Sequence, residues 1–356
     1  MGTSSTPQGR KNADGNPHIE AIEPAASLPG GEVRIVGHDL KPPHLARPEV
    51  SFAGVRGSIV VSSEDFVIAR VPFGTQSGDV VVKSNGNVSN GREISIAQPI
   101  ADNLHPVANP TIDLEGNLYV TFSGRRGQKV PVSVYKIDSN YHMKPFVSDL
   151  MNATGLAFDQ EGQLYVSSRY DGTVYRVAPN GNTTTYAEGM GVATGIAFDR
   201  EGSLYVGDRT GTIWRIAPDR QIFVFATLEP SLAAYHLAFA PNGTLYVTGP
   251  TTSSYDAVYA VDPHGSVSVF YRGLGRPQGL AFDAQGNVYV AASLAGQRGI
   301  VKITVDGKAS LVVSGHNLVG LAFTRTGGLV LATNNPGVPS GAIFHLTWGI
   351  RPFNLI

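Results

Sequence analysis

The 356-residue chain contains no cysteine. Disulfides, thiolate metal sites, iron–sulfur clusters and cysteine nucleophiles are therefore excluded, and either redox compartment is tolerated. Charged residues are scarce at 15%, and 27 Lys and Arg against 28 Asp and Glu leave a net charge of −1. That balance points to no nucleic-acid partner and no acidic lipid surface. No apolar run approaches 18 residues, so no membrane-spanning helix is expected. The first 17 residues, MGTSSTPQGRKNADGNP, carry no apolar core of a signal peptide and read as a flexible tail, with the cytoplasm as the default location. Gly2 and Thr6 fit the N-myristoylation pattern by chance, and so does the glycosylation sequon at Asn152.

What the chain does have is 42 glycines and 23 prolines against 42% hydrophobic residues. This composition is too apolar for disorder and predicts many turns and few helices. The glycines are organised. The pattern Gly-Leu-Ala-Phe-Asp-x-x-Gly-x-Leu-Tyr-Val is clearest at 155–166, 195–206 and 279–290, with weaker copies at 110–120, 236–247 and 320–331. Six copies about 40 residues apart set the architecture. Leu-Ala-Phe is a short apolar strand. Asp-x-x-Gly is a turn, because Asp bonds its own backbone and Gly suits the exit. Leu-Tyr-Val is a second strand; a third follows at Val174-Tyr-Arg-Val and its equivalents, and a weaker fourth after that. Four strands in each of six repeats predict a six-bladed β-propeller over residues 104–356. The recurring Tyr and Phe positions are expected to pack blade against blade. The last repeat carries candidates for its own third and fourth strands, 342–347 and 351–356, so the ring is expected to close without strand exchange; the alternative is that 93–100 supplies a closing outer strand.

Residues 18–97 follow another rhythm. Val33, Ile35 and Leu40 alternate, and short strands such as Val50-Ser-Phe, Val67-Ile-Ala-Arg and Asp79-Val-Val-Val are separated by Gly and Pro turns. This predicts a β-sandwich. The fold class is thus all-β, an immunoglobulin-like β-sandwich followed by a six-bladed β-propeller.

Two resemblances refine this reading. Ile22-Glu-Pro, Gly30-Gly, Ile35-Val-Gly-His-Asp-Leu, Val71-Pro and Gly86-Asn-Val-Ser-Asn resemble an IPT/TIG domain, which implies an interaction module. The repeats resemble the NHL and SMP-30/gluconolactonase-like propellers. That resemblance implies a divalent cation, Ca²⁺ or Mg²⁺, held on the channel axis by Glu, Asn and Asp. At the matching positions stand Thr154, Thr194, Tyr235 and Gln278, with Asn109 as the one metal-ligand type, so lactonase chemistry would need an altered site. Virginiamycin B lyase-type propellers use a His and a Glu on such a channel, and here no Glu partner is evident in the sequence. His236 replaces a glycine of the other copies and, with Tyr235, is the candidate catalytic pair.

The loops leading into each innermost strand and those joining second to third strands open at one end, and this end is the expected site. Arg169, Asp171, Asp208, Arg209, Gln278, Arg298, Thr154 and Thr194 are the ligand-binding candidates there. Arg pairs with carboxylate or phosphate in a fork, so a small anionic or sugar-like ligand, or a protein, is the expected partner. The opposing expectation is that Arg169–Asp171 and Arg209–Asp208 pair to brace their own loops. Two functions follow: a ligand- or partner-binding propeller, or an SMP-30-like lactone or ester hydrolase.

Overall fold

The computed structural model describes residues 16–42, 47–334 and 341–353. Residues 1–15, and with them Gly2 and Thr6, lie outside the described residues, as do 335–340 in the last repeat and 354–356. Every element among the described residues is a β-strand, and none is a helix long and apolar enough to cross a membrane. The chain divides into two compact units, Met1–Gln98 with Leu311–His316, and Pro99–Ser310 with Asn317–Ile356.

In the first unit, His18–Glu23, Glu32–His38, Phe66–Arg70 and Ser58–Ser62 form one antiparallel sheet in that order. Glu49–Phe52, Gly78–Ser84 and Arg92–Ile96 form a second. Period-two alternation sends one side of each strand inward. Ile19, Val33, Ile35, Val67 and Ala69 from the first sheet meet Val50, Phe52, Val80, Val82, Ile94 and Ile96 from the second in one apolar cluster, which also holds Leu40.

The second unit is a ring of six four-stranded repeats. Blade one is Thr111–Ile112, Leu118–Thr121, Val134–Ile137 and Met143–Val147. Blade two is Ala153–Phe158, Leu164–Ser168, Val174–Val177 and Thr183–Ala187; blade three is Ala193–Phe198, Leu204–Asp208, Thr212–Ile216 and Ile222–Thr227. Blade four is His236–Phe239, Leu245–Thr248, Asp256–Val261 and Val267–Gly275. Blade five has Leu280–Phe282, Val288–Leu294 and Gln297–Ile303, followed in the chain by Ala309–Ser314. Blade six has Leu318–Phe323, Leu329–Thr333 and Gly341–Leu346.

The outermost strand of blade six is Gln98–Leu104, which precedes blade one. This corrects the expected closure without strand exchange. Residues 349–353 do not take the outer-strand place in blade six, and Pro352 bridges Asp283 of blade five; 354–356 lie outside the described residues. The gain is apolar: Leu104 is buried with Leu118 and Val120 of blade one and Val330, Ala332 and Ile343 of blade six, so one strand fastens the first blade to the last.

The repeat signature explains the packing. Each signature tyrosine sets the edge of one ring on the phenylalanine of the next blade: Tyr119 on Phe158, Tyr165 on Phe198, Tyr205 on Phe239, Tyr246 on Phe282 and Tyr289 on Phe323, at 4.9–5.3 Å between centroids. Such pairs add about 0.5–1.5 kcal/mol each beyond area burial. The turn aspartates are structural. Asp113, Asp159, Asp199 and Asp283 each accept the backbone N–H four residues on, at 2.8–2.9 Å. Asp283 also accepts from the Tyr289 hydroxyl at 3.2 Å and the Asn287 amide at 2.8 Å. Asp283→Ala leaves these buried donors unpaired, and an equilibrium denaturant titration is expected to show a loss of about 2–3 kcal/mol. A loss under 0.5 kcal/mol would contradict this role.

Candidate functional site

The innermost strands bring one residue per blade to the axis. Strand pairing places Asn109, Gly155, Gly195, His236, Gly279 and Gly320 in equivalent positions. The glycines let neighbouring backbones touch: a Cβ on Gly155 would lie 2.4 Å from the Thr194 carbonyl, and one on Gly320 would lie 2.5 Å from the Ala108 carbonyl. Gly195 N–H donates to Tyr235 O at 2.9 Å, and Gly279 N–H to Val319 O at 3.1 Å. The two side chains of this ring, Asn109 and His236, belong to blades one and four, which face each other in a ring of six.

Both are engaged. Asn109 Nδ2 donates to Leu280 O at 2.8 Å, and its Oδ1 accepts Leu321 N–H at 3.1 Å, so its amide ties blade one to blades five and six. His236 is 2% exposed. Its Nε2 lies 3.3 Å from Gln278 Oε1. Burial lowers its pKa to about 4, against a small upward pull from that hydrogen bond, so the ring is neutral. An acceptor at Oε1 makes Nε2 the donor and leaves Nδ1 as a lone-pair acceptor. Tyr235 is buried with its hydroxyl on the Glu229 carbonyl and its N–H on Thr194 Oγ1 at 3.1 Å. Burial foremost raises its pKa, so the phenol stays protonated.

The cation implied by the SMP-30 resemblance does not fit these residues. Asn109 spends its amide on backbone, four of the six axial positions are glycine, and the facing side chain is a neutral imidazole. Among the described residues no group of three or more Asp, Glu, His or Cys side chains is close enough to hold a metal ion. A hard cation needs several oxygen ligands with carboxylate among them.

The other candidates lie on the loop face. Arg169 and Arg209 follow the second strands of blades two and three, and Arg126 sits in the corresponding loop of blade one. Arg169 Nη2 donates to Gly124 O at 2.9 Å and Arg209 Nε to Ser231 O at 3.1 Å, while Arg169 Nε is buried without a partner. Burial, then the charges of Arg209 and Arg126, lower the pKa of Arg169. The expected bracing pairs do not form. Asp171 accepts the Tyr175 hydroxyl at 2.8 Å and Thr173 N–H at 3.1 Å. Asp208 accepts Val192 N–H at 3.0 Å, Thr210 N–H at 3.1 Å and the Thr210 hydroxyl at 2.5 Å. Three guanidinium groups thus share one face, where Arg126 and Arg209 line a depression of about 370 Å³ with Thr210 and Ser231.

The remaining candidates are scattered. Thr154 and Thr194 are buried, their hydroxyls donating to Asn152 O at 2.9 Å and Gly207 O at 2.7 Å. Gln278 O accepts the Thr248 hydroxyl at 2.6 Å. Arg298 is exposed in the blade-five hairpin, across the ring from Arg169.

Two features escaped the sequence reading. Buried Asn152 shapes the blade-one loop: Nδ2 donates to Ser123 O at 2.6 Å and Arg125 O at 2.8 Å, and Oδ1 accepts Gly127 N–H at 2.7 Å. Its sequon hid that role. The second is the end at which the expected channel opens: its cavity of about 400 Å³, lined by the innermost strands, is open at the turn end, where Leu114, Glu115, Gln160, Glu161, Arg325 and Phe353 stand.

A family profile described as "Strictosidine synthase-like, N-terminal" matches residues 195–216. No curated protein matches the chain in sequence. The fold, in contrast, is shared widely. A putative gluconolactonase is 18% identical with a TM-score of 0.59, covering 73% of this chain and 94% of its own. The calcium-binding protein regucalcin of Agrobacterium tumefaciens is 17% identical with a TM-score of 0.57, covering 73% and 96%. An auxiliary nutrient binding protein of Bacteroides thetaiotaomicron is 11% identical with a TM-score of 0.56, covering 94% and 98%. The fold is that of the gluconolactonase-like propellers. At these identities the likeness extends to fold alone.

Proposed function

We propose that the protein is a non-catalytic binding propeller, residues 104–356, whose loop face takes a small anionic ligand, a carboxylate or a phosphate. We read residues 18–97 as its IPT/TIG-type, immunoglobulin-like interaction module. The observation that carries this reading is the group of Arg126, Arg169 and Arg209, in which Arg169 and Arg209 have no carboxylate within ion-pair distance among the described residues. Gathering the exposed Arg126 and Arg209 around the part-buried Arg169 is unfavourable and is offset when an anion binds them. That one structural neighbour is an auxiliary nutrient binding protein supports the same reading.

Isothermal titration with citrate and with inorganic phosphate tests it. Binding is expected for at least one, weakening as ionic strength rises. Arg169→Ala is expected to lower affinity roughly 10- to 100-fold, the value of about 1.5–3 kcal/mol for a hydrogen bond to a charged group. Arg298→Ala, across the ring, is expected to leave it unchanged. Absence of binding by both anions would overturn the reading. The gluconolactonase likeness favours a hydrolase as the second reading, with His236 as base and an altered cation site. Turnover of a lactone or aryl-ester substrate that disappears in His236→Asn would establish it.

A further inference from the structure

The axial cavity has a chemistry of its own, set by backbone. In each signature turn the N–H of the first residue bonds the carbonyl four residues on, as Asp159 to Gln163, Asp199 to Ser203 and Ala240 to Thr244. Hydrogen-bonded pairs alternate along an antiparallel ladder. Ala157 therefore exchanges bonds with Tyr165, whereas Leu156 and Phe158 turn their N–H and C=O groups away from the blade, toward the axis. The same holds for Ile196 and Phe198, Leu237 and Phe239, Leu280 and Phe282, and Leu321 and Phe323. Three contacts confirm the direction: Leu280 O accepts Asn109 Nδ2, Leu321 N–H donates to Asn109 Oδ1, and Phe282 O accepts Phe353 N–H at 3.1 Å. Each innermost strand is thus an edge strand facing the channel.

One of these edges is already occupied by an extended segment. Arg351–Phe353 runs antiparallel to the end of the blade-five strand: Ala284 N–H donates to Arg351 O at 3.0 Å, Pro352 pairs with Asp283, and Phe353 reaches the cavity. The Arg200 guanidinium of blade three stands 5.7 Å from the Phe353 ring centroid, so the segment is held at the channel mouth from the far side. The edges of blades two, three and four repeat the blade-five sequence Leu-Ala-Phe closely and, among the described residues, carry no such strand.

We propose that the turn-face mouth of the axial channel receives an extended peptide, which adds as a strand to the free inner edge of blade three or four. Unpaired N–H and C=O groups supply the affinity, as in other cases of strand addition. The walls dictate the rest. Alanines 197, 238, 281 and 322 and the four axial glycines admit only small side chains. The depth from the mouth to the ring of His236 corresponds to about three residues at ~3.3 Å each. Glu115 and Glu161 at the mouth favour a basic residue just outside it.

The test uses full-length protein and the capped peptide acetyl-Gly-Ala-Gly-Ala-Lys-amide, with a version N-methylated at both alanines. Binding is read by titration, and its place by amide NMR shifts. The unmodified peptide is expected to bind at least 10-fold more tightly than the N-methylated one and to shift the amides of Ile196, Phe198, Leu237 and Phe239. Ala197→Leu, checked for an unchanged melting profile, is expected to abolish binding; if it fails to fold, the amide shifts decide alone. Equal affinity of both peptides, no binding, or shifts confined to the loops of Arg126, Arg169 and Arg209 would overturn the proposal. Because the probe carries no anion, its failure leaves the loop-face reading untouched, and failure of citrate and phosphate leaves this one untouched.

Discussion

Gly195→Ala is expected to destabilise the ring by about 3 kcal/mol or more, although the backbone there suits any residue. Gly195 does not adopt a positive φ. On conformational grounds alone, alanine would stabilise by about 0.4–1 kcal/mol. Its Cβ, however, would stand 2.4 Å from the Tyr235 carbonyl oxygen and 3.0 Å from His236 Cα. Both are backbone, and the carbonyl accepts Gly195 N–H, so neither yields without parting blades three and four. Overpacking of this kind costs roughly 1–3 kcal/mol and more where backbone must move. The control is Gly243→Ala, in the blade-four turn, where φ is +84° and nothing lies within 4 Å of the new methyl. It isolates the left-handed penalty of about 1–2 kcal/mol. Thermal melts are expected to rank Gly195→Ala below Gly243→Ala. A neutral or stabilised Gly195→Ala protein would show that the close approach at the axis is not a constraint.

The second large effect is a loss of stability in acid that traces to one side chain. His236 has its pKa lowered to about 4 by burial, against an ordinary value near 6.5 in the unfolded chain. Between these values the unfolded state binds a proton that the folded state refuses. The contribution is therefore complete above about pH 6.5 and is lost as pH falls toward 4, amounting to about 3 kcal/mol. His236 faces neutral Gln278 and the axial glycines, and the charged groups that line the cavity, Asp113, Glu115, Glu161, Asp199 and Arg325, belong to the turns at its mouth. His236→Asn copies the residue that blade one already uses at this position. Denaturant titrations at pH 7 and pH 4.5 are expected to show a smaller acid loss for the variant by about 2–3 kcal/mol. Identical pH profiles for the two proteins would refute the assignment.

The propeller was legible because its signals are local and repeated. Asp-x-x-Gly fixes a turn within four residues, and Tyr and Phe each hold their signature position in five of the six repeats, so each copy supports the others. Closure of the ring was misread for the opposite reason. Pairing between Gln98–Leu104 and the last blade is set by which strand reaches Gly341–Leu346 first, and the chain immediately after that strand looked equally suitable. The candidate site was legible in part. Arg169 and Arg209 were visible as loop arginines, but that they bond backbone carbonyls and not carboxylates was not. Asp171 and Asp208 lie within two residues of them, and only the fold shows both carboxylates turned to local donors. His236 stood out as a departure from glycine. The central channel followed from the six-bladed ring, but its cavity opens at the turn end and not at the loop end where the site was expected.

The strand that fastens the ring also sets a timetable. Gln98–Leu104 is made before any blade, yet its partner Gly341–Leu346 emerges roughly 240 residues later. At ribosomal speeds of about 5–20 residues per second, the segment waits on the order of 10 to 50 s with its edge unpaired. Throughout that interval the growing chain has two open sheet edges and no closed circle. Pairing across so much sequence is slow to nucleate. The newborn protein is thus most exposed to self-association just before its last blade is complete, and a chain ending before Gly341 stays in that condition.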